Sequence, residues 1–185
     1  MSDDATAGEE NPGARNLAAL ARPMQHALNN LFMVLHANLD SVISALPPED
    51  KTTLRLQRAS QGAKDMEALL RAYLRIGRPA EQPAMDSAKY LEAVRPVLAQ
   101  AAGRPVVVEV RSSAMIAPQR PAVDIALIDL AWGARELPRG VKPVLVLEGA
   151  SLTAAWVAPA VALQGLEALG LSVSQEEGLT RVTLT

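Results

Sequence analysis

Apolar residues recur at Leu17, Leu20, Met24, Leu28, Leu31, Leu35, Leu39, Val42 and Leu46, in steps of three and four. That spacing predicts one amphipathic helix over about 15–45 with a core-facing stripe. Pro23 lies inside it, removes one backbone donor and predicts a kink. Leu46-Pro47-Pro48-Glu49-Asp50 reads as a turn. A second stripe, Leu56, Ala59, Ala63, Met66, Leu70 and Tyr73, predicts a helix over about 49–76. Two long helices joined by a short loop make an antiparallel hairpin. One hairpin buries little by itself, so two copies forming a four-helix bundle, a homodimer, are expected. Ahead of the hairpin, residues 1–14 are polar, acidic and Gly/Pro-containing, and are expected to be a disordered tail.

After the linker Gly77-Arg78-Pro79-Ala80-Glu81-Gln82-Pro83 the pattern changes. A helix over about 86–102 precedes the β-branched run Pro105-Val106-Val107-Val108-Glu109-Val110. A helix over about 122–137, a strand over 143–148, a helix over 159–169 and strands over 171–175 and 180–185 follow. Mixed strands and helices predict a small α/β sandwich with helices on one face of a sheet. The expected fold class is α+β, with a helical hairpin at 15–77 and an α/β domain at 84–185. No internal repeat is evident.

Composition narrows the chemistry. Apolar residues make up 49% of the 185 positions, enough for a core, but aromatics only 3%, so Leu, Val, Ala and Met must build it. The absence of Cys excludes disulfides, thiolate zinc sites and a Cys nucleophile. Two His are too few for a His-rich metal site. With a net charge of −2 and no basic, aromatic-laced patch, nucleic acid is not an expected partner. No apolar run approaches the roughly 20 residues of a membrane span, and the acidic N-terminus does not read as a signal peptide. No membrane association is expected, and the default location is the cytoplasm.

Against that background His26 stands out. At 3.6 residues per turn it lies near the side opposite Met24, Leu28 and Leu35, with Asn30 one turn later on its own face. An imidazole titrates near neutrality, so its unprotonated nitrogen is available as a nucleophile. The run His26-Ala27-Leu28-Asn29-Asn30-Leu31 resembles the dimerisation and phosphoacceptor box of two-component histidine kinases. That box has His, then Asp or Glu, one residue, then Asn-Asn-Leu. In the family the acidic neighbour assists attack on ATP, which Ala27 cannot do. The box also commonly carries its proline after the histidine, whereas Pro23 precedes it.

The second half resembles a shrunken kinase ATP-binding domain. Residues 122–136 are similar to that domain's Asn-box helix, and Thr180-Arg181-Val182-Thr183-Leu184-Thr185 to its closing strand. The two Asn that hold Mg-ATP in the family correspond here to Asp129 and Gly133. Where the family's Asp-x-Gly-x-Gly motif should follow the strand at 144–148, the chain reads Glu148-Gly149-Ala150-Ser151-Leu152, and no room is left for a lid. A retained His with a lost ATP site resembles the ChpT-like histidine phosphotransferases of bacterial phosphorelays.

That resemblance implies a phosphotransferase shuttling a phosphoryl group between receiver-domain aspartates through His26, and no ATP-dependent autokinase. It implies no bound cofactor, with Mg²⁺ and the carboxylate supplied by a partner receiver domain. Response-regulator receivers are the implied partners, with a hybrid histidine kinase as a further candidate. Asn30 is the candidate for polarising the phosphoryl group or placing a water. Met33 and Ala37, near the His26 face, are candidates for receiver docking. The plainer alternatives are an exposed histidine without a role, an ordinary surface Asn30, and Met33 and Ala37 packing on a sister hairpin. His36, about 80° from His26 and nearer the stripe edge, is the weaker phosphoacceptor candidate. Trp132 and Trp156 are expected in the core, and Arg55, Arg58 and Lys64 on a solvated face. Two other functions stay open: a non-catalytic pseudokinase scaffold that binds a receiver or kinase, and a receiver aspartyl-phosphate phosphatase using Asn30.

Overall fold

The computed structural model describes the backbone of residues 12–184, with side chains described at residue 20 and from residue 23 onward. Two long helices, α1 (Pro12–Ser44) and α2 (Lys51–Ile76), form an antiparallel hairpin. α1 begins three residues before the sequence pattern places it, inside the expected tail; the rest of that tail, residues 1–11, lies outside the described residues. Helical assignment continues unbroken through Pro23. Asp50 caps α2, its carboxylate accepting from the Thr52 amide at 2.6 Å. Hydrogen bonding from the Thr52 side chain, and then from its amide, lowers the Asp50 pKa from its ordinary value.

The remainder is a two-layer α/β unit, so the fold class is α+β. A two-stranded ladder pairs β1 (Met85–Asp86) with β3 (Met115–Ile116). The main sheet takes β2 (Val107–Val110), β4 (Val144–Glu148), β5 (Ser151–Ala154), β6 (Ser172–Glu176) and β7 (Leu179–Thr183) in the order β2-β4-β5-β7-β6. β2 runs parallel to β4 and the other neighbours are antiparallel. Alternation along the strands sets the layers. Leu145, Leu147, Leu152, Ala154 and Val182 are buried on one face, while Glu148, Arg181 and Ser174 are exposed. Helices α3 (Ser87–Ala102), α4 (Ala122–Trp132) and α5 (Ala160–Ala168) supply the rest of that core through Leu91, Leu98, Leu127, Leu130 and Leu166. The helix expected over 122–137 is shorter, because the chain tightens into a 3-10 turn at Gly133–Glu136.

Two points differ from expectation within the single protomer. There the α1 stripe is not one buried face. Leu31 is 67% exposed and Leu35 41%, and Leu20, Met24 and Val42 are also exposed. Phe32, outside the stripe, is the one fully buried α1 side chain among the described residues. A single partner helix can cover only one flank of α1. The stripe therefore splits, with Leu28 and Leu39 half-buried toward α2 and the other flank open. α2 repeats this: Ala63 is buried, while Ala59, Met66 and Tyr73 are exposed. The second correction concerns Trp132, which ends α4 at the surface and is 45% exposed. Trp156 does lie in the core, its indole donating to the Leu130 carbonyl at 2.9 Å.

The hairpin meets the α/β unit at a stapled elbow. Glu81 and Arg120 exchange both backbone hydrogen bonds at 2.8 Å, holding the linker against the start of α4. Beneath them Arg120 and Asp124 form a bidentate pair (2.7–3.0 Å) with side chains only 3% and 2% exposed. Tyr90 of α3 donates its phenol to Asp124 at 2.9 Å. Burial first, then the Asp124 charge, pushes the Tyr90 phenol well above its ordinary pKa.

Candidate functional site

His26 sits on the exposed surface of α1. Taking its direction as zero and 100° per residue, Asn30, Met33 and Ala37 fall within about 40° of it. All three are exposed, so the four form one strip running three turns along the helix. The exposed apolar flank, Met24, Leu31, Leu35 and Val42, points about 140–180° away. His26 therefore stands on the broad side of the hairpin opposite the apolar one.

The edge of that side is polar and tied across the hairpin. Arg71 of α2 donates through Nε to the Asn29 side chain at 3.2 Å. Its other arm pairs with Glu67 at 2.5 Å, an i,i+4 contact. The second Glu67 oxygen accepts from His36 Nε2 at 3.0 Å. His36 also stacks on Phe32, with ring centroids 6.2 Å apart, and its Nδ1 is buried without a partner among the described residues. The two histidines thus differ in kind. His26 is exposed, with no hydrogen bond or ion pair to another described residue, while His36 is a structural link between the helices.

Toward the elbow this edge opens into a cleft of about 510 Å³. Gln25, next to His26, lines it together with Lys64, Arg71, Arg75 and Arg78 of α2 and the following linker. Arg75 pairs with Glu81; burial and then the neighbouring Arg120 charge lower its pKa from the usual range. Lys64, read from sequence as part of a solvated face with Arg55 and Arg58, is exposed as they are. Sequence reading missed the Asn29–Arg71–Glu67–His36 chain. Its one local signal was the i,i+4 spacing of Glu67 and Arg71.

Two places in the α/β unit bear on the expected loss of a nucleotide cradle. Gly133 is packed under the segment leading into α5. A Cβ built there would meet the Val157 carbonyl oxygen at 2.4 Å and Trp156 at 3.1 Å. The position thus requires glycine for close packing, and no side chain can project from it. β4 and β5 are joined by the two-residue turn Gly149-Ala150, with Gly149 at φ 63°. The hairpin leaves no inserted segment between these two strands. Asp129 is half-buried on α4. Among the described residues no cluster of three His, Asp or Glu is placed to hold a metal ion. No described helix is long and apolar enough to cross a membrane.

No protein-family model matches the chain, and no curated protein matches it. Among solved structures it is similar to the cytoplasmic segment of histidine kinase QseC. The identity is 14%, over 56% of this chain and 78% of that one, with a TM-score of 0.44. A likeness at that level names no activity for this chain.

Proposed function

We propose that this protein is a histidine phosphotransferase of a two-component phosphorelay, with His26 as the phosphoryl carrier. The observation that carries the proposal is the exposed imidazole on the hairpin face opposite the apolar flank. In that arrangement a second copy can cover the apolar flank without masking His26. The transfer itself asks little of the carrier. An imidazole nitrogen lone pair attacks the phosphorus of a receiver's aspartyl phosphate. The N–P bond forms as the acyl P–O bond breaks, and the aspartate leaves as a carboxylate. Return to a second receiver reverses the step. The receiver supplies its own carboxylates and Mg²⁺, so positioning is the carrier's main contribution. Asn30, one turn from His26, would contact the phosphoryl oxygens. Met33 and Ala37 offer a small apolar footing for the receiver. Receivers and the kinases that load them are cytoplasmic in such relays, and this chain is placed there with them.

The buried Gly133 and the short β4–β5 turn favour a carrier over an autokinase. Incubation with a receiver bearing a labelled phosphoryl group separates the alternatives. A transferase takes up acid-labile, base-stable label. A phosphatase releases labelled phosphate, and a scaffold does neither.

The same reading requires a homodimer formed through the open flank. Leu31→Asp or Leu35→Asp is expected to halve the mass seen by light scattering at micromolar concentration. A carboxylate buried unpaired at an interface costs several kcal/mol, roughly. Because both positions are exposed in the single protomer, its helical circular dichroism should persist. A wild-type monomer would remove the bundle.

A further inference from the structure

On the apolar side of the molecule, a groove of about 550 Å³ lies between the end of α2 and the α/β unit. Leu69, Tyr73 and Ile76 of α2 form one wall, Val97 of α3 the floor, and Ile128 and Trp132 of α4 the other wall. Tyr73 is 65% exposed, and Trp132 carries the Arg135 guanidinium on its ring, 3.8 Å from the centroid. Two large aromatic side chains left half in water beside an apolar groove mark a surface built to be covered. The groove continues the exposed α2 stripe of Ala59 and Met66 without interruption.

The hairpin contacts fix the levels of the two helices. Asn29 stands opposite Arg71, and His36 opposite Glu67. On that antiparallel register Ile76, the end of α2, is level with about residue 25. The first dozen residues of α1 therefore overhang α2 by roughly 18 Å at 1.5 Å per residue. Leu20 and Met24 lie on this overhang, exposed and on the same flank as Leu31 and Leu35. Rotation about a two-fold axis parallel to the helices leaves every residue at its own level. In such a bundle the partner's α1 runs antiparallel beside α2. The partner's Leu31 then stands level with Leu70, and the partner's Met24 level with Ile76, which brackets the α2 residues that line the groove.

We infer that the groove is filled by the partner's α1 between Met24 and Leu31, so that the partner's Met24 and the partner's Leu31 pack against Tyr73, Ile128 and Trp132. This inference rests on the two-fold bundle proposed above and extends it. The dimer interface then includes the α/β unit, and each hairpin holds the other protomer's α/β unit in place. That unit acquires a defined role in fixing the orientation of the platform around His26.

Because the chain has no cysteine, two single-cysteine variants can be mixed without background. Protomers carrying Met24→Cys, mixed with protomers carrying Trp132→Cys and treated with a short bismaleimide, should give a cross-linked heterodimer. In an independent measurement, Trp156→Phe leaves Trp132 as the sole indole. Its quenching by acrylamide should fall severalfold as dilute protein is concentrated through the dimerisation range. If light scattering shows a dimer while the cross-link fails and Trp132 stays open to quencher, the inference is overturned and the bundle stands. If the protein stays monomeric, both fall together.

Discussion

A His26→Ala protein is expected to accept no phosphoryl label from a phosphorylated receiver, while keeping its dimer mass and melting temperature. The ring is exposed, and no hydrogen bond or ion pair ties it to another described residue. Exposed substitutions of this kind usually change stability by under roughly half a kcal/mol. The expected loss is complete because the imidazole nitrogen is the atom that bonds phosphorus. His36→Ala separates the two histidines. His36 is linked to Glu67 and packed on Phe32, so its removal should loosen the hairpin and lower the melting temperature. It should slow labelling without reducing the final extent. Labelling of His26→Ala at the wild-type level would move the site elsewhere.

Asp124→Ala is expected to be the most destabilising single change in the α/β unit. It would strand the buried Arg120 guanidinium, together with the Tyr90 phenol that donates to the same carboxylate. Removing one partner of a buried pair costs about 3–5 kcal/mol. For a chain of this size that lowers the melting temperature by on the order of 10 °C. Replacing both partners with apolar residues, Arg120→Met with Asp124→Leu, should recover most of the loss, because no orphaned charge remains. The raised Tyr90 pKa carries its own pH signature. Below about pH 10 the phenol is protonated in both folded and unfolded chains, and its contribution is complete. Above that pH the unfolded phenol ionises while the folded one holds its proton. Stability from this group is therefore lost as pH rises past 10, which denaturant titrations at pH 8 and 10.5 can measure. Equal stability of Asp124→Ala and wild type would contradict the buried network.

The two long helices were legible because their apolar residues keep a period of three and four over many turns. What the period does not reveal is which flank meets which neighbour. Leu31 and Phe32 are adjacent apolar residues, yet one is largely exposed and the other buried, and only the placement of α2 decides between them. The strand at 107–110 showed as a β-branched run, and those at 144–148 and 179–183 were expected over 143–148 and 180–185. β1 and β3, two residues each, are too short to leave a pattern, and β5 was read only as part of a degenerate glycine motif. Trp132 misled because a large aromatic at the end of an apolar helix looks like core. Gly133 was visible as a missing ligand, but its packing under Val157 depends on a segment more than twenty residues away. Likewise, His26 and Asn30 could be placed on one face by counting, whereas the Asn29–Arg71–Glu67–His36 chain joins residues 42 and 31 positions apart.

The most direct test of the account is to find where the phosphoryl group resides on the wild-type protein. The chain is incubated once with a phosphorylated receiver and once with labelled ATP and Mg²⁺, and the labelled peptide is mapped by mass spectrometry under alkaline conditions. The account predicts an acid-labile phosphoryl group on His26 from the receiver and none from ATP. Label on His36, label acquired from ATP alone, or no label from any receiver that binds the protein would contradict it.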